Sequence, residues 1–167
     1  MNNLRQLGAL MSERLAEDRL QRVPGAVFLK QFAADLRNED LQTFTCPGDP
    51  RYPPADDLHW RWPWLVENLE DLVKRYADDW RTAPCSYRGP DADLLAEAFG
   101  PYAPRLIIAC DQNGPDGSAP YHAGGVVVLY NDARVGFIKW EKMEGYAGGP
   151  VKVGSDSPDP RFRRLIP

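Results

Sequence analysis

The segment from residue 126 to residue 140 constrains the fold most, because its pattern predicts two antiparallel strands joined by a tight turn. Val126 to Tyr130 and Val135 to Trp140 are short runs rich in β-branched and aromatic residues. The intervening residues, Asn-Asp-Ala-Arg at 131–134, supply turn chemistry. In the second run neither alternating set is wholly polar. We therefore expect a β-hairpin that is covered on at least one side.

Length and composition limit the class of protein. The chain has 167 residues and a mass of 18.8 kDa, and 43% of its residues are hydrophobic. These values predict a single domain over residues 1–167 with a core of its own. The formal net charge of −4, with no basic block, argues against nucleic acid as the main partner. No apolar stretch approaches the length that spans a bilayer.

Helical patterns come first along the chain, and strand patterns follow. Leu4, Leu7, Met11 and Leu15 recur at steps of three and four, which predicts an amphipathic helix over residues 2 to about 20. The same reasoning predicts further helices over 28–38, 65–76 and 91–99, the last with Asp91 or Asp93 as N-cap, and strands over 41–46 and 106–110. After residue 146 we expect a tail that packs in an ordered-to-loose way. The predicted fold class is α+β.

Five segments in this order resemble a known family. They are "NNLRQLG" at 2–8, "FTCPGDP" at 44–50, "CSYRGPD" at 85–91, "ACDQNG" at 109–114 and "HAGGVVVLYNDA" at 122–133. The chain resembles the soluble part of type II secretion pseudopilins and type IV pilin-like proteins of the prepilin group. Their C-terminal motif is His, nine residues and then Asp-Gly. His122 and Asp132 have this separation, although Ala133 stands at the glycine position.

The resemblance implies a pilin-like headpiece, in which the N-terminal amphipathic helix packs on a small antiparallel sheet. Residues 51–84 would be an insertion that adds helices, and residues 105–140 would hold the C-terminal strands. A basic leader and an apolar membrane helix are expected before Met1, so that residues 2–20 form the lower half of a stalk helix. The implied function is that of a structural filament subunit in protein export or surface assembly, without enzymatic activity. Its partners would be other pilin-like subunits and the assembly machinery in the cell envelope.

Because Ala133 stands where the family motif has glycine, the turn between the two predicted strands would need another residue in the left-handed conformation that glycine adopts most readily. We expect Asn131 or Asp132 to take it, or the turn to be of another type.

The three cysteines allow two interpretations. An exported domain can carry a disulfide, and Cys46 and Cys85 both lie beside loops. A bond between them would close a loop of roughly 40 residues and contribute about 3–4 kcal/mol. The alternative is that all three thiols are reduced and packed. Cys110, at the end of an apolar strand, is expected to be a buried free thiol.

Several polar residues invite a metal or catalytic interpretation. Asp111, Asn113, Asp116 and Ser118 resemble a calcium loop whose spacing misses the usual pattern by one residue, and Asp132 is a further candidate ligand. The resemblance adds weight, because major pseudopilins bind calcium in a C-terminal loop. The alternative is an ordinary turn-rich connection. His122 and Asp132 are likewise either part of an ion site or a structural motif of the hairpin, and we favour the structural interpretation.

Two further possibilities come from the residues alone. A metal-dependent hydrolase assembled from Asp49, Asp111, His122 and Asp132 is the best enzyme that the chain offers, and it is a poor one because the sequence has no established catalytic motif. Trp60, Trp62 and Trp64, next to His59, form either a binding patch or a small core beneath the insertion. The alternative to a filament subunit is therefore a soluble extracytoplasmic module that binds a ligand or an ion.

Overall fold

The fold is a five-stranded antiparallel sheet with the first two helices of the chain packed on one face. The computed structural model describes residues 2–32, 46, 85–114 and 117–167. The elements are α1 (Asn2–Ala16), α2 (Val27–Lys30), β1 (Tyr87–Pro90), α3 (Ala92–Ala98), β2 (Ile107–Asp111), β3 (Gly125–Tyr130), β4 (Val135–Lys139) and β5 (Leu165–Ile166). The strand order is β4-β3-β2-β1-β5, and every pairing is antiparallel. The predicted α+β class is confirmed.

Helix α1 packs one apolar stripe on the sheet, as its periodicity predicts. Leu4, Leu7 and Met11 are almost completely buried, whereas Leu15 is 46% exposed. The helix ends at Ala16, earlier than the predicted residue 20. The reason is a C-terminal motif in which Asp18 adopts a left-handed φ of 54°. The Arg19 N–H then donates to the Arg14 carbonyl at 2.8 Å, which closes the last turn.

The hairpin of β3 and β4 forms in the predicted place. Gly125 to Leu129 pair with Lys139 to Val135 in one continuous register. Strand β3 is buried on both faces. Val127 and Leu129 pack in the cluster that includes α1 and α2, while Val126 and Val128 pack in a second cluster on the opposite face. Because β3 is an interior strand of a sheet that is covered on both faces, its sequence is almost uniformly apolar.

The C-terminal segment, predicted as an ordered-to-loose tail, is ordered and covers the second face of the sheet. Val151, Val153, Phe162 and Leu165 are each at most 4% exposed and lie in that second cluster. Strand β5 then pairs with β1 at the edge of the sheet. The segment has no regular apolar period, because most of it forms turns and irregular backbone. Its sequence therefore looked like a tail although its apolar side chains complete the core.

The short helices follow local signals. Asp91 is the N-cap of α3, and its side chain accepts a 2.7 Å hydrogen bond from the Leu94 N–H, as predicted. The predicted helix over 28–38 begins as α2, where Phe28 and Leu29 are fully buried. Outside the described residues lie 33–45 and the predicted insertion at 51–84, which includes a predicted helix, His59 and the tryptophans at 60–64. Within the described part of the chain, no helix has the length and apolar character needed to cross a membrane.

The turn between β3 and β4 places the left-handed residue at Ala133, so neither Asn131 nor Asp132 takes that conformation. Ala133 has a φ of 63°. The Ala133 N–H donates to the Tyr130 carbonyl at 3.0 Å, and the Tyr130 N–H donates to the Arg134 carbonyl at 2.9 Å. This is the three-residue hairpin loop whose third position favours glycine. An alanine there is conformationally strained, because its Cβ approaches the following carbonyl.

We expect Ala133→Gly to stabilise the protein by about 1 kcal/mol, because glycine adopts positive φ without that strain. Unfolding in urea, followed by circular dichroism, would measure the gain. Ala123→Gly is the matched control. Ala123 does not adopt a positive φ, so this variant should not gain stability. Equal or lower stability of Ala133→Gly would show that the turn carries no strain at this position.

Candidate functional site

Three polar side chains meet where β2 ends and β3 begins. Asp111 is the last residue of β2, His122 precedes β3, and Cys46 comes from a distant segment of the chain. The Cys46 Sγ lies 3.1 Å from the His122 Nε2, and the Asp111 Oδ2 lies 3.6 Å from the same nitrogen. One ligand atom from each residue lies within 4.8 Å of the other two. We call these residues the Cys46–Asp111–His122 cluster.

Two residues of the cluster are buried, and the third is partly exposed. Cys46 and Asp111 are each 1% exposed, whereas the His122 side chain is 30% exposed. The Asp111 Oδ2 accepts a 2.8 Å hydrogen bond from the Val127 N–H of β3. The Asp111 Oδ1 is also buried but has no hydrogen-bond partner among the described residues. Burying a carboxylate oxygen in this way is costly unless a cation or a proton compensates for it.

The pKa values of Asp111 and of its neighbour Tyr87 reflect their burial. Burial raises the pKa of Asp111, while the neighbouring His122 and the Val127 N–H act in the opposite direction. Tyr87 on β1 is the residue that pairs with Asp111 on β2. Burial raises the pKa of Tyr87 well above its ordinary value, and negative charge on Asp111 and on the two thiols Cys46 and Cys85 raises it further. The surroundings therefore disfavour uncompensated negative charge.

The geometry differs from that of a catalytic cysteine. In a Cys–His–Asp triad the thiol and the carboxylate bind opposite nitrogens of the imidazole, so that a proton passes through the ring. Here both groups approach the same nitrogen, Nε2. Side chains that converge on one point, and do not form a relay, are the arrangement expected for ligands of a shared cation.

The loop from residue 111 to residue 121 brings His122 to this place. Asn113 adopts a left-handed φ of 52°, and its buried side-chain oxygen accepts a 3.1 Å hydrogen bond from the Tyr121 N–H. The Asn113 carbonyl also accepts from the Ala119 N–H at 2.9 Å. Asparagine adopts positive φ more readily than most residues. Asn113 thus closes the loop and fixes the entry of the chain into β3.

Among the described candidates for the predicted calcium and hydrolase sites, Asp111 and His122 lie 3.6 Å apart, whereas Asp132 lies away from both. Asp132 lies in the β3–β4 turn, where its carboxylate is 3.4 Å from Arg105 and 3.7 Å from Arg134. Asp111 lies beside Val127. The extended strand from Val127 to Tyr130 lies between the two carboxylates and spans roughly 10 Å. Asn113 uses its side-chain oxygen inside the loop, and Asp49 and Asp116 lie outside the described residues.

The His122 and Asp132 motif is divided between the two ends of β3. Asp132 accepts a hydrogen bond from the Arg134 N–H at 3.2 Å and so caps its own turn. His122 contacts Cys46 and Asp111 at the opposite end of β3. The two residues therefore act separately, although their spacing in the sequence suggests a pair.

In this structure Cys46, Cys85 and Cys110 are buried and no disulfide joins them, so the Cys46–Cys85 bond stays a prediction for the oxidised protein. Cys46 faces His122 at 3.1 Å, whereas Cys85 donates to the carbonyl of Tyr87 at 3.6 Å. Cys110 is fully buried, as predicted for a packed thiol.

Sequence reasoning missed Cys46 as a partner of His122. Each member of the cluster belongs to one of the quoted segments: Cys46 to "FTCPGDP", Asp111 to "ACDQNG" and His122 to "HAGG". The signal was thus available, because a polar residue with ligand chemistry stands in each segment. What the sequence lacks is the distance between them.

Comparisons of the chain with protein-family models, with curated proteins and with solved structures found no match.

Proposed function

We propose that this chain is the headpiece of a structural subunit in a type II secretion pseudopilus or a type IV pilus-like filament, acting in protein export or surface assembly. The observation that carries the proposal is the contact between the two most characteristic segments. Gly8 of "NNLRQLG" packs so closely on the hairpin that a Cβ there would lie 2.7 Å from the Ala133 carbonyl oxygen. The helix motif and the hairpin motif therefore form one packing unit.

The shape of α1 supports the same proposal. Its buried stripe lies on the sheet, while Arg5, Ala9, Ser12 and Glu13 form an exposed face on the other side. At its C-terminal end Leu15 leaves a large apolar side chain 46% exposed. A helix packed on one side and open on the other can bind a neighbouring subunit along its outer face. The proposed place of the protein is the cell envelope, where a membrane helix ahead of Met1 would anchor it.

Cross-linking in the source cell tests the proposal. The full-length gene would carry Ala9→Cys on the exposed face of α1, and a bifunctional maleimide would link neighbouring chains. The native cysteines do not interfere, because all three are buried. We expect envelope fractions to contain cross-linked species of two or more subunits. Ala96→Cys, an exposed position on α3, is the matched control and should yield mostly monomer.

Two results would count against the filament subunit. One is an uncross-linked monomer from Ala9→Cys at reagent concentrations that modify the thiol completely. The other is a reading frame that encodes no leader and no apolar helix ahead of Met1. Sequencing the gene upstream of Met1 settles the second point without any protein.

The alternative, a soluble module that binds an ion, is favoured by one specific observation. The Cys46–Asp111–His122 cluster gathers three ligand atoms beside a partly exposed imidazole. This alternative predicts a soluble monomer in which ion binding changes the stability or the interactions of the chain. The cross-linking experiment separates the two functions, because a monomeric module gives no subunit ladder.

A further inference from the structure

We propose that the Cys46–Asp111–His122 cluster is a binding site for a zinc-like divalent transition-metal ion, with a thiolate, a carboxylate and an imidazole as ligands. The site does not depend on the filament proposal, since a structural metal suits a filament headpiece as well as a soluble module. Three observations carry it: the distances, the unpaired carboxylate oxygen and the chemistry of the donors.

The distances fit a tetrahedral ion. Zinc bonds of about 2.3 Å to sulfur and about 2.0–2.2 Å to nitrogen or oxygen place neighbouring ligand atoms about 3.3–3.6 Å apart. The Cys46 Sγ lies 3.1 Å and the Asp111 Oδ2 lies 3.6 Å from the His122 Nε2. Small side-chain adjustments would therefore be enough to seat the ion. The fourth position would face the exposed side of His122, where water can enter.

Asp111 supplies an independent indication. Its carboxyl group is 1% exposed, and its Oδ1 has no hydrogen-bond partner among the described residues. Buried carboxylates are paired with a charge or coordinate a metal in most proteins. The Val127 N–H holds the other oxygen at 2.8 Å, which is the type of outer contact that orients a metal ligand.

The donor set selects the metal. A thiolate and an imidazole are ligands of zinc and related transition metals, whereas calcium and magnesium prefer oxygen donors. A thiolate and a carboxylate together carry two negative charges, which a divalent ion neutralises. Binding would thus remove the burial cost of both groups. This chemistry distinguishes the cluster from the calcium site that the sequence of residues 111–118 suggests.

Metal titration of the purified chain tests the inference. The protein would be treated with a chelator, kept reduced so that Cys46 stays a thiol, and titrated with Co²⁺ and Zn²⁺. We expect one ion per chain and a thiolate-to-cobalt charge-transfer band that Zn²⁺ removes. Ca²⁺ should neither produce that band nor compete for the site. Calorimetry would give the affinities.

Variants assign the ligands. Cys46→Ser and His122→Gln should each weaken Zn²⁺ binding by at least about 100-fold, because even residues that only orient ligands contribute about 10–100-fold. Cys85→Ser is the matched control: Cys85 is a buried thiol near Tyr87 but outside the cluster, and its replacement should leave the cobalt band unchanged. His122 is 30% exposed, so His122→Gln is expected to fold, which circular dichroism would verify.

Two outcomes would overturn the inference. The wild-type chain could fail to bind Co²⁺ or Zn²⁺ at a defined stoichiometry. It could also bind them with the same affinity after Cys46→Ser and His122→Gln. In either case the cluster would be a hydrogen-bonded thiol–imidazole–carboxyl group that only stabilises the loop before β3.

Discussion

Gly89→Ala is expected to lower the free energy of unfolding by about 3 kcal/mol or more. A Cβ at Gly89 would lie 1.9 Å from the carbonyl oxygen of Gly25 and 2.5 Å from its carbonyl carbon. Both are backbone atoms, so no side-chain rotation can relieve the clash. The Gly25 N–H also donates to the Pro90 carbonyl at 2.7 Å, and any shift would break this bond between β1 and the segment entering α2.

Gly100→Ala is the matched control for this prediction. The nearest atom to a Cβ at Gly100 would be 3.5 Å away, which is an ordinary contact. Its stability should therefore stay within about 0.5 kcal/mol of the wild-type value. Urea unfolding of both variants would provide the comparison. If Gly89→Ala and Gly100→Ala unfolded at the same urea concentration, the close approach of residues 25 and 89 would not exist in solution.

Asp159→Ala is the second large effect, with an expected loss of about 3 kcal/mol. Asp159 is fully buried, and its carboxylate accepts hydrogen bonds from the Arg161 guanidinium, at 2.6 Å for the closest, and from the backbone N–H of Arg161 and Glu144. Removing it would leave the backbone N–H groups of Arg161 and Glu144 without this acceptor where the C-terminal segment covers the sheet, whereas the Arg161 guanidinium is 46% exposed and also donates to the Lys142 carbonyl. Thermal unfolding would measure the loss.

Asp156→Ala is the matched control for Asp159→Ala. The Asp156 side chain is 75% exposed and forms a surface ion pair with Lys152. Its replacement should change stability by less than about 0.5 kcal/mol. Similar losses for the two variants would mean that the buried network around Asp159 does not hold the segment in place.

The contribution of Asp159 should depend on pH in a defined direction. Burial alone raises the pKa of Asp159, but hydrogen bonds from Arg161 and from two backbone N–H groups outweigh it, so the pKa is lowered in the folded protein. The unfolded chain has a pKa of about 4. The stabilisation is therefore fully present above that value and is lost as the pH falls through the lower, folded pKa.

Asp159→Asn provides the test, because the amide keeps the shape of the side chain but does not titrate. The melting temperature of the wild type should exceed that of Asp159→Asn by a constant margin from pH 7 to about pH 5. Below about pH 4 the margin should shrink. A margin that grows on acidification would mean that the carboxyl group is destabilising when ionised.

The sequence alone predicted the elements that arise from local periodicity. The steps of three and four at Leu4, Leu7 and Met11 define the buried face of α1, because a helix returns to the same side at that interval. The β-branched runs on either side of residues 131–134 define the β3–β4 hairpin, since their strands are neighbours in the chain. Asp91 was predictable as an N-cap because it acts within one helical turn.

Contacts between distant segments were decided only by the tertiary structure. Cys46 and His122 are 76 residues apart and meet at 3.1 Å, a distance that spacing along the chain cannot indicate. Val151 and Phe162 are core residues without a regular period, because irregular backbone buries them one at a time. Ala133, rather than its polar neighbours, takes the left-handed position, because the strand register requires it. Local rules act over a few residues, whereas these features depend on how the whole chain packs.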